Sequence, residues 1–167
     1  VMLVAFLMLF IKKFEWSVCL IILLALAIVF PLYMGIQNYI FGSNWGIETI
    51  ICGVFSVITL TIATGVIFGQ VKIWHFIPLS ILFVPAYCLN EWFLFTFLEG
   101  VADSGGSILV HMFAAYWGWG VIFALQWKKV RKVPMETTPH SISFGWLASM
   151  LLWVLWPSFT TAILPSD

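Results

Sequence analysis

Apolar runs long enough to cross a lipid bilayer follow one another along almost the whole chain, separated by short polar joints. They cover residues 1–11, 14–41, 47–69, 73–98, 104–127 and 143–164, the first of them partial. A span needs about 20 mostly apolar residues to cover a hydrocarbon core of roughly 30 Å. Backbone in lipid has to satisfy its own hydrogen bonds, and runs of this length without period-2 alternation predict helices rather than barrel strands. The predicted fold is an all-α polytopic transmembrane bundle of about six spans over residues 1–167, with no separate soluble domain. Composition agrees, because 63% of the residues are apolar and 8% charged, against about 45–50% and about 25% in soluble domains.

Interruptions within the runs are few. Pro31, Pro78, Pro85 and Pro157 fall inside spans, where each frees a backbone carbonyl that a neighbour or a water-filled cavity must satisfy. The fifth run collects small residues at Gly105, Gly106, Ala114, Ala115, Gly118 and Gly120, which permits close helix contact. The longest polar stretch, 128–141, contains Pro134, Thr137, Thr138 and Pro139 and reads as a loop. The chain opens inside an apolar run and stops at Asp167 just after another, so both ends read as cut, with no signal-peptide pattern.

Charge orients the bundle. If the runs alternate across the membrane, the joints after the first, third and fifth share one face. They contain Lys12, Lys13, Lys72, Lys128, Lys129, Arg131 and Lys132, which are all seven basic residues, and the positive-inside rule makes that face cytoplasmic. The opposite face receives Glu48, Glu91, Glu99, Asp103 and Asp167, so the outer entrance is expected to carry negative potential and concentrate cations. The plain alternative is solvated interfacial charge. Glu91 stands apart because it lies before the end of its run, and an acid at membrane depth is a functional candidate. A net charge of zero gives a nucleic-acid partner no electrostatic support. Cys19, Cys52 and Cys88 stand singly without metal-ligand spacing and are expected to be buried thiols with no redox role. Nothing in the pattern calls for a cofactor or metal.

His111 lies eight residues into the fifth run after Asp103, about 12 Å along a regular helix, and so near the bilayer midplane. A neutral histidine there can give and take a proton near pH 7, or it can be a buried ring bonded to a backbone carbonyl. Phe55 lies about 10 Å past Glu48, and Phe159 about 12 Å before Asp167, on the same level. Those rings read either as a hydrophobic constriction above His111 or as ordinary packing. His75, beside Lys72 and Trp74, and His140, in the polar stretch, read as interfacial or solvated.

The stretch Asp103-Ser-Gly-Gly-Ser-Ile-Leu-Val-His111-Met-Phe-Ala-Ala-Tyr116 resembles the fifth-helix signature of the ammonium transporter and Rh glycoprotein family. Trp156-Pro-Ser-Phe159-Thr, Asn90-Glu91 and Gly65-Val-Ile-Phe-Gly-Gln70 extend the resemblance, in the family's order, over essentially the whole chain. The resemblance implies the first of two inverted five-helix repeats and the helix after it, a known transporter plan. It implies a homotrimer, each subunit with its own hydrophobic pore, in the plasma membrane. His111 then matches the first of two pore histidines, Phe55 and Phe159 the stacked rings at the outer end, Asp103 the carboxylate at the helix start and Glu91 the vestibule acid; Trp156 joins the substrate-binding set. Thr160 departs from the usual Asn, and Ala in Phe113-Ala-Ala-Tyr from the usual Gly. The expected function is ammonium or ammonia transport. The alternative is a non-transporting family member acting as scaffold or ammonium sensor, while an enzyme is disfavoured because His111 has no paired acid, serine or second ligand at its depth.

Overall fold

The computed structural model describes residues 1–9, 16–98, 100–125 and 135–162, and every regular element in them is helical. The α-helices are α1 (Met2–Leu7), α2 (Ser17–Tyr39), α3 (Ile47–Ile67), α4 (Phe76–Trp92), α5 (Phe113–Ala124) and α6 (Pro139–Thr161). A 3-10 turn, Ile73–His75, leads into α4 and a π-helical turn, Phe93–Phe97, leaves it. Ser104–Gly106 (3-10) and Ser107–Met112 (π-helical) lead into α5. Five helical stretches are therefore long and apolar enough to cross a membrane, Ser17–Tyr39, Ile47–Ile67, Ile73–Phe97, Ser104–Ala124 and Pro139–Thr161.

The first run, expected to be partial over residues 1–11, holds α1, six residues or about 9 Å long, and residues 10–15 lie outside the described ones. One expectation changes. The last helix starts at Pro139 and not at 143, because Thr138 caps it: its hydroxyl accepts from the Ser141 N–H at 3.1 Å while Ser141 Oγ accepts from the Thr138 N–H at 2.9 Å, with proline at the first helical position. Glu99, Asp167 and the basic residues other than Lys72 lie outside the described residues. Glu48 opens α3 and Lys72 follows its end, so the 21 residues between Ile47 and Ile67 separate acid from base by about 30 Å.

The core has two layers. Toward the acidic end Val29, Tyr33, Leu60, Phe83, Tyr87 and Leu109 pack α2, α3, α4 and the entry to α5 together. Toward the basic end Val18, Ile21, Ile67, Phe76 and Ile122 do the same. Since lipid tails are as apolar as these side chains, close fit rather than hydrophobic transfer holds such helices together. Gly118 on α5 shows how close the fit is, as a Cβ there would stand 3.0 Å from the Ala63 carbonyl oxygen and 3.1 Å from Val66 Cγ2 on α3. Gly118→Val is expected to destabilise by about 2–3 kcal/mol through overpacking. Gly120, which has nothing within 4 Å, is the control, and the check is the thermal unfolding midpoint of Gly118→Val against Gly120→Val in detergent. The last helix, α6, packs on α1 and the 104–106 turn, and Ala148 is its buried residue. Its remaining surface is apolar nearly all round, with Trp146, Met150, Trp153 and Val154 exposed, as in a helix meant for lipid or further protein.

Candidate functional site

The entry to α5 is built by a carboxylate and two glycines. Asp103 is buried, and its Oδ1 accepts from the Ile108 N–H at 2.9 Å while Oδ2 accepts from the Leu109 N–H at 2.8 Å. Two donors that a helix start leaves without partners are thereby satisfied. For the side chain to reach five and six residues ahead, the backbone folds back through Gly105 (φ 67°) and Gly106 (φ 65°), a conformation that costs an L-residue about 1–2 kcal/mol. Gly105 also meets Thr160 of α6, whose Cγ2 would lie 3.3 Å from a Cβ there. The expected continuous helix from Asp103 to His111 is thus a 3-10 turn followed by a π-helical turn, and a regular rise does not measure the depth of His111. π-Turns within helices are frequent at functional positions.

In His111 the Nδ1 atom lies 3.1 Å from the Gly106 carbonyl oxygen. A carbonyl only accepts, so a neutral ring held this way keeps its proton on Nδ1 and leaves Nε2 as an acceptor. The side chain is exposed rather than buried, is bonded to backbone and lines a cavity. The ring stands edge-on to Phe159 at 6.3 Å between centroids. Phe159 in turn meets Phe55 at 5.1 Å, also edge-to-face, and stacks on Trp156 at 5.6 Å. Four of the six predicted residues thus form one cluster of rings, contributed by α3, α6 and the entry to α5.

On the basic side of those rings is a partly open cavity of about 310 Å³ lined by Ile58, Ile62, His111, Leu152, Trp156 and Phe159, with α1 residues such as Val4. Among the residues lining it, His111 has the one titratable side chain. On the acidic side, the one expected to face outward, is a pocket, the outer pocket, of about 510 Å³ that brings together Glu48, Glu91, Thr49, Cys52, Tyr33 and Gln37, with Trp92 and Phe95. The order along α3 places the two spaces one after the other. Thr49 and Cys52 face the outer pocket and Ile58 and Ile62 the cavity. Phe55 is three residues, about 4.5 Å, from Cys52 and from Ile58 on the same face.

Glu91 is buried, and it takes no part in the ring cluster. Tyr33 donates its hydroxyl to Glu91 at 2.8 Å from either carboxylate oxygen, and Gln37 Nε2 donates to Oε2 at 2.7 Å. Tyr33 and Gln37 were not singled out from sequence, although two polar residues four apart in the apolar α2 mark one helix face. Cys52 was expected to be buried, and instead it is partly exposed and lines the outer pocket; Cys19 is partly exposed too, and Cys88 is buried as expected. All three are free thiols. His75 accepts from the Lys72 N–H through Nδ1 at 3.1 Å and stacks on Trp74, at the basic end.

This geometry has counterparts in known proteins. The sequence profile of the Ammonium Transporter Family matches residues 1–166. "Ammonium transporter Rh type C" of Xenopus tropicalis is 31% identical over 95% of this chain and 35% of its own length. The Sus scrofa protein of the same description is 30% identical over 95% of this chain and 36% of its own. A solved structure of Nitrosomonas europaea Rh50, described with the mechanism of conduction by the Rhesus protein family of channels, superposes with a TM-score of 0.86 at 38% identity. That superposition covers 97% of this chain and 45% of the other. The chain therefore spans between about a third and a half of the relatives it matches. With the five apolar helices and the match over residues 1–166, the chain is an integral membrane protein that belongs to the ammonium transporter family.

Proposed function

We propose that the protein carrying this chain moves ammonium nitrogen across the membrane through a path that runs from the acidic outer pocket, past Phe55 and Phe159, into the apolar cavity that His111 lines. The observation that carries this reading is the position of Phe55 on α3, between a pocket with two carboxylates and a cavity whose lining is otherwise apolar. Glu48 and Glu91 attract the cation, and the faces of Trp92, Phe95 and Trp156 can hold it in passing through cation–π attraction. Stripping an ion of its water in an apolar tube costs far more than a few contacts return. The species that crosses the cavity is then neutral ammonia, with the proton left behind or relayed, and Nε2 of His111 accepts an N–H bond from it. Asp103 keeps the ring in place by holding the start of its helix. Relatives described as Rh type transporters and channels support the substrate, and the family resemblance supports a homotrimer in the plasma membrane. No feature of the described residues favours a scaffold or a sensor.

The test uses the full coding sequence that contains this chain, reconstituted in vesicles with a pH dye inside. An inward ammonium gradient is expected to change the internal pH several-fold faster than in empty vesicles. Equal rates would remove the transport reading.

A further inference from the structure

We propose that Tyr33 and Gln37, one turn apart on α2, are positioning residues that hold the Glu91 carboxylate at the wall of the outer pocket, so that it meets an incoming cation in one fixed arrangement. The inference rests on the reading of Glu91 as a cation-attracting acid and goes beyond it, since no site residue was assigned to α2.

The network closes on itself. Tyr33 OH lies 2.8 Å from both Glu91 oxygens, Gln37 Nε2 lies 2.7 Å from Oε2 and 3.1 Å from Tyr33 OH, and Ser43 Oγ donates to Gln37 Oε1 at 3.2 Å. The carboxylate only accepts, so it fixes the Gln37 NH2 toward Glu91, and the amide oxygen on the other side accepts from Ser43. Tyr33 itself is buried, edge-on to Tyr87 at 6.0 Å, and has no room to swing away. An ionised carboxylate offers about four lone-pair sites, and three donors reach it, the single O–H of Tyr33, one N–H of Gln37 and the Cys52 thiol of α3. At least one remains for an N–H from outside, and the residue still lines the pocket beside Thr49, Cys52 and Glu48. The acid is thus anchored without being used up.

Two consequences follow from this arrangement. Hydrogen bonds to a charged group stabilise it more than neutral ones do, so the donors make a nearly dry position tolerable for the carboxylate. They also remove the rotamer freedom that a loose glutamate would lose on each encounter with a cation. Without Tyr33 or Gln37 the carboxylate spends less time facing the pocket, and ammonium is captured less well at low concentration. The maximal rate, set further in, is untouched.

The experiment is the ammonium-concentration dependence of the initial rate in vesicles containing the full-length protein. Tyr33→Phe and Gln37→Leu are each expected to raise the half-saturating concentration about three- to tenfold while the maximal rate stays within about twofold. Glu91→Gln is expected to raise it at least as much, and adding Tyr33→Phe to Glu91→Gln is expected to change nothing further. A shift from Tyr33→Phe that persists in the Glu91→Gln background means the tyrosine acts on the fold generally, and the proposal is overturned. It is overturned alone if Glu91→Gln shifts the concentration dependence and neither α2 variant does. If Glu91→Gln itself has no effect in a transporting protein, the reading of Glu91 falls and the proposal with it. Gln37 is partly exposed, so Gln37→Leu carries the same decision if Tyr33→Phe lowers the yield of folded protein.

Discussion

Asp103→Ala is expected to lower the stability of the protein by about 3–5 kcal/mol, a large part of the roughly 5–15 kcal/mol that a folded domain has. The side chain is only 4% exposed, and both oxygens are engaged by backbone N–H groups, at 2.9 and 2.8 Å. Alanine would leave the part-buried Ile108 donor and the buried Leu109 donor without their acceptor, and each such orphan costs about 1–3 kcal/mol. The two glycines at φ 67° and 65° would lose the bond that justifies their unusual turn, and the π-helical turn that carries His111 would lose its anchor. Asp103→Glu is not expected to rescue, because one more methylene displaces the oxygens from two donors on adjacent residues. The measurement is the thermal unfolding midpoint of the purified protein, followed by transport in whatever folded fraction remains. Stability within about 1 kcal/mol of the unsubstituted protein would show that the helix start needs no carboxylate.

His111→Leu is expected to act on transport with little effect on stability. The side chain is exposed, and its one hydrogen bond among the described residues is from Nδ1 to the Gly106 carbonyl, so leucine removes little that holds the fold. What leucine removes is the titratable side chain of a cavity otherwise lined by residues such as Ile58, Ile62 and Leu152. Leaving a polar molecule unbonded in such surroundings costs about 1–3 kcal/mol, which corresponds to about 5- to 150-fold in rate. Initial rates of ammonium-driven pH change in vesicles should fall within that range, with normal folding verified by the unfolding midpoint. A rate equal to that of the unsubstituted protein would take the histidine out of the path.

How much was legible in the sequence depended on the range of the interaction. Spans came through because each apolar run has to satisfy its backbone inside itself, and α3, expected over 47–69, is Ile47–Ile67. The helix starts were harder. Thr138 and Ser141 carry a capping pattern that places the start of α6 at Pro139, and the apolar content alone had put it at 143. The break in the fifth span was present as a Gly-Gly pair, but the turn it makes depends on Asp103 reaching forward to Ile108 and Leu109, which period and hydropathy do not express. Phe55, Phe159 and His111 were read as three residues of similar depth, and the resemblance paired the two phenylalanines as stacked rings. The structure sets those two edge-to-face, because depth says nothing about which way a ring faces.

The α2 contribution shows the limit most clearly. Tyr33 and Gln37 are 58 and 54 residues from Glu91 in sequence, so their role depends on α2 and α4 packing side by side. By itself the sequence determined the all-helical membrane class and the family, since these follow from local composition, period and motif. The tertiary structure decided which side chains share a space: the ring cluster, the outer pocket with its two acids, and the cavity with its histidine. Those are set by the rotation of each helix about its axis, which is fixed by close contacts such as Gly118 against Ala63, and no single helix carries that information in its own sequence.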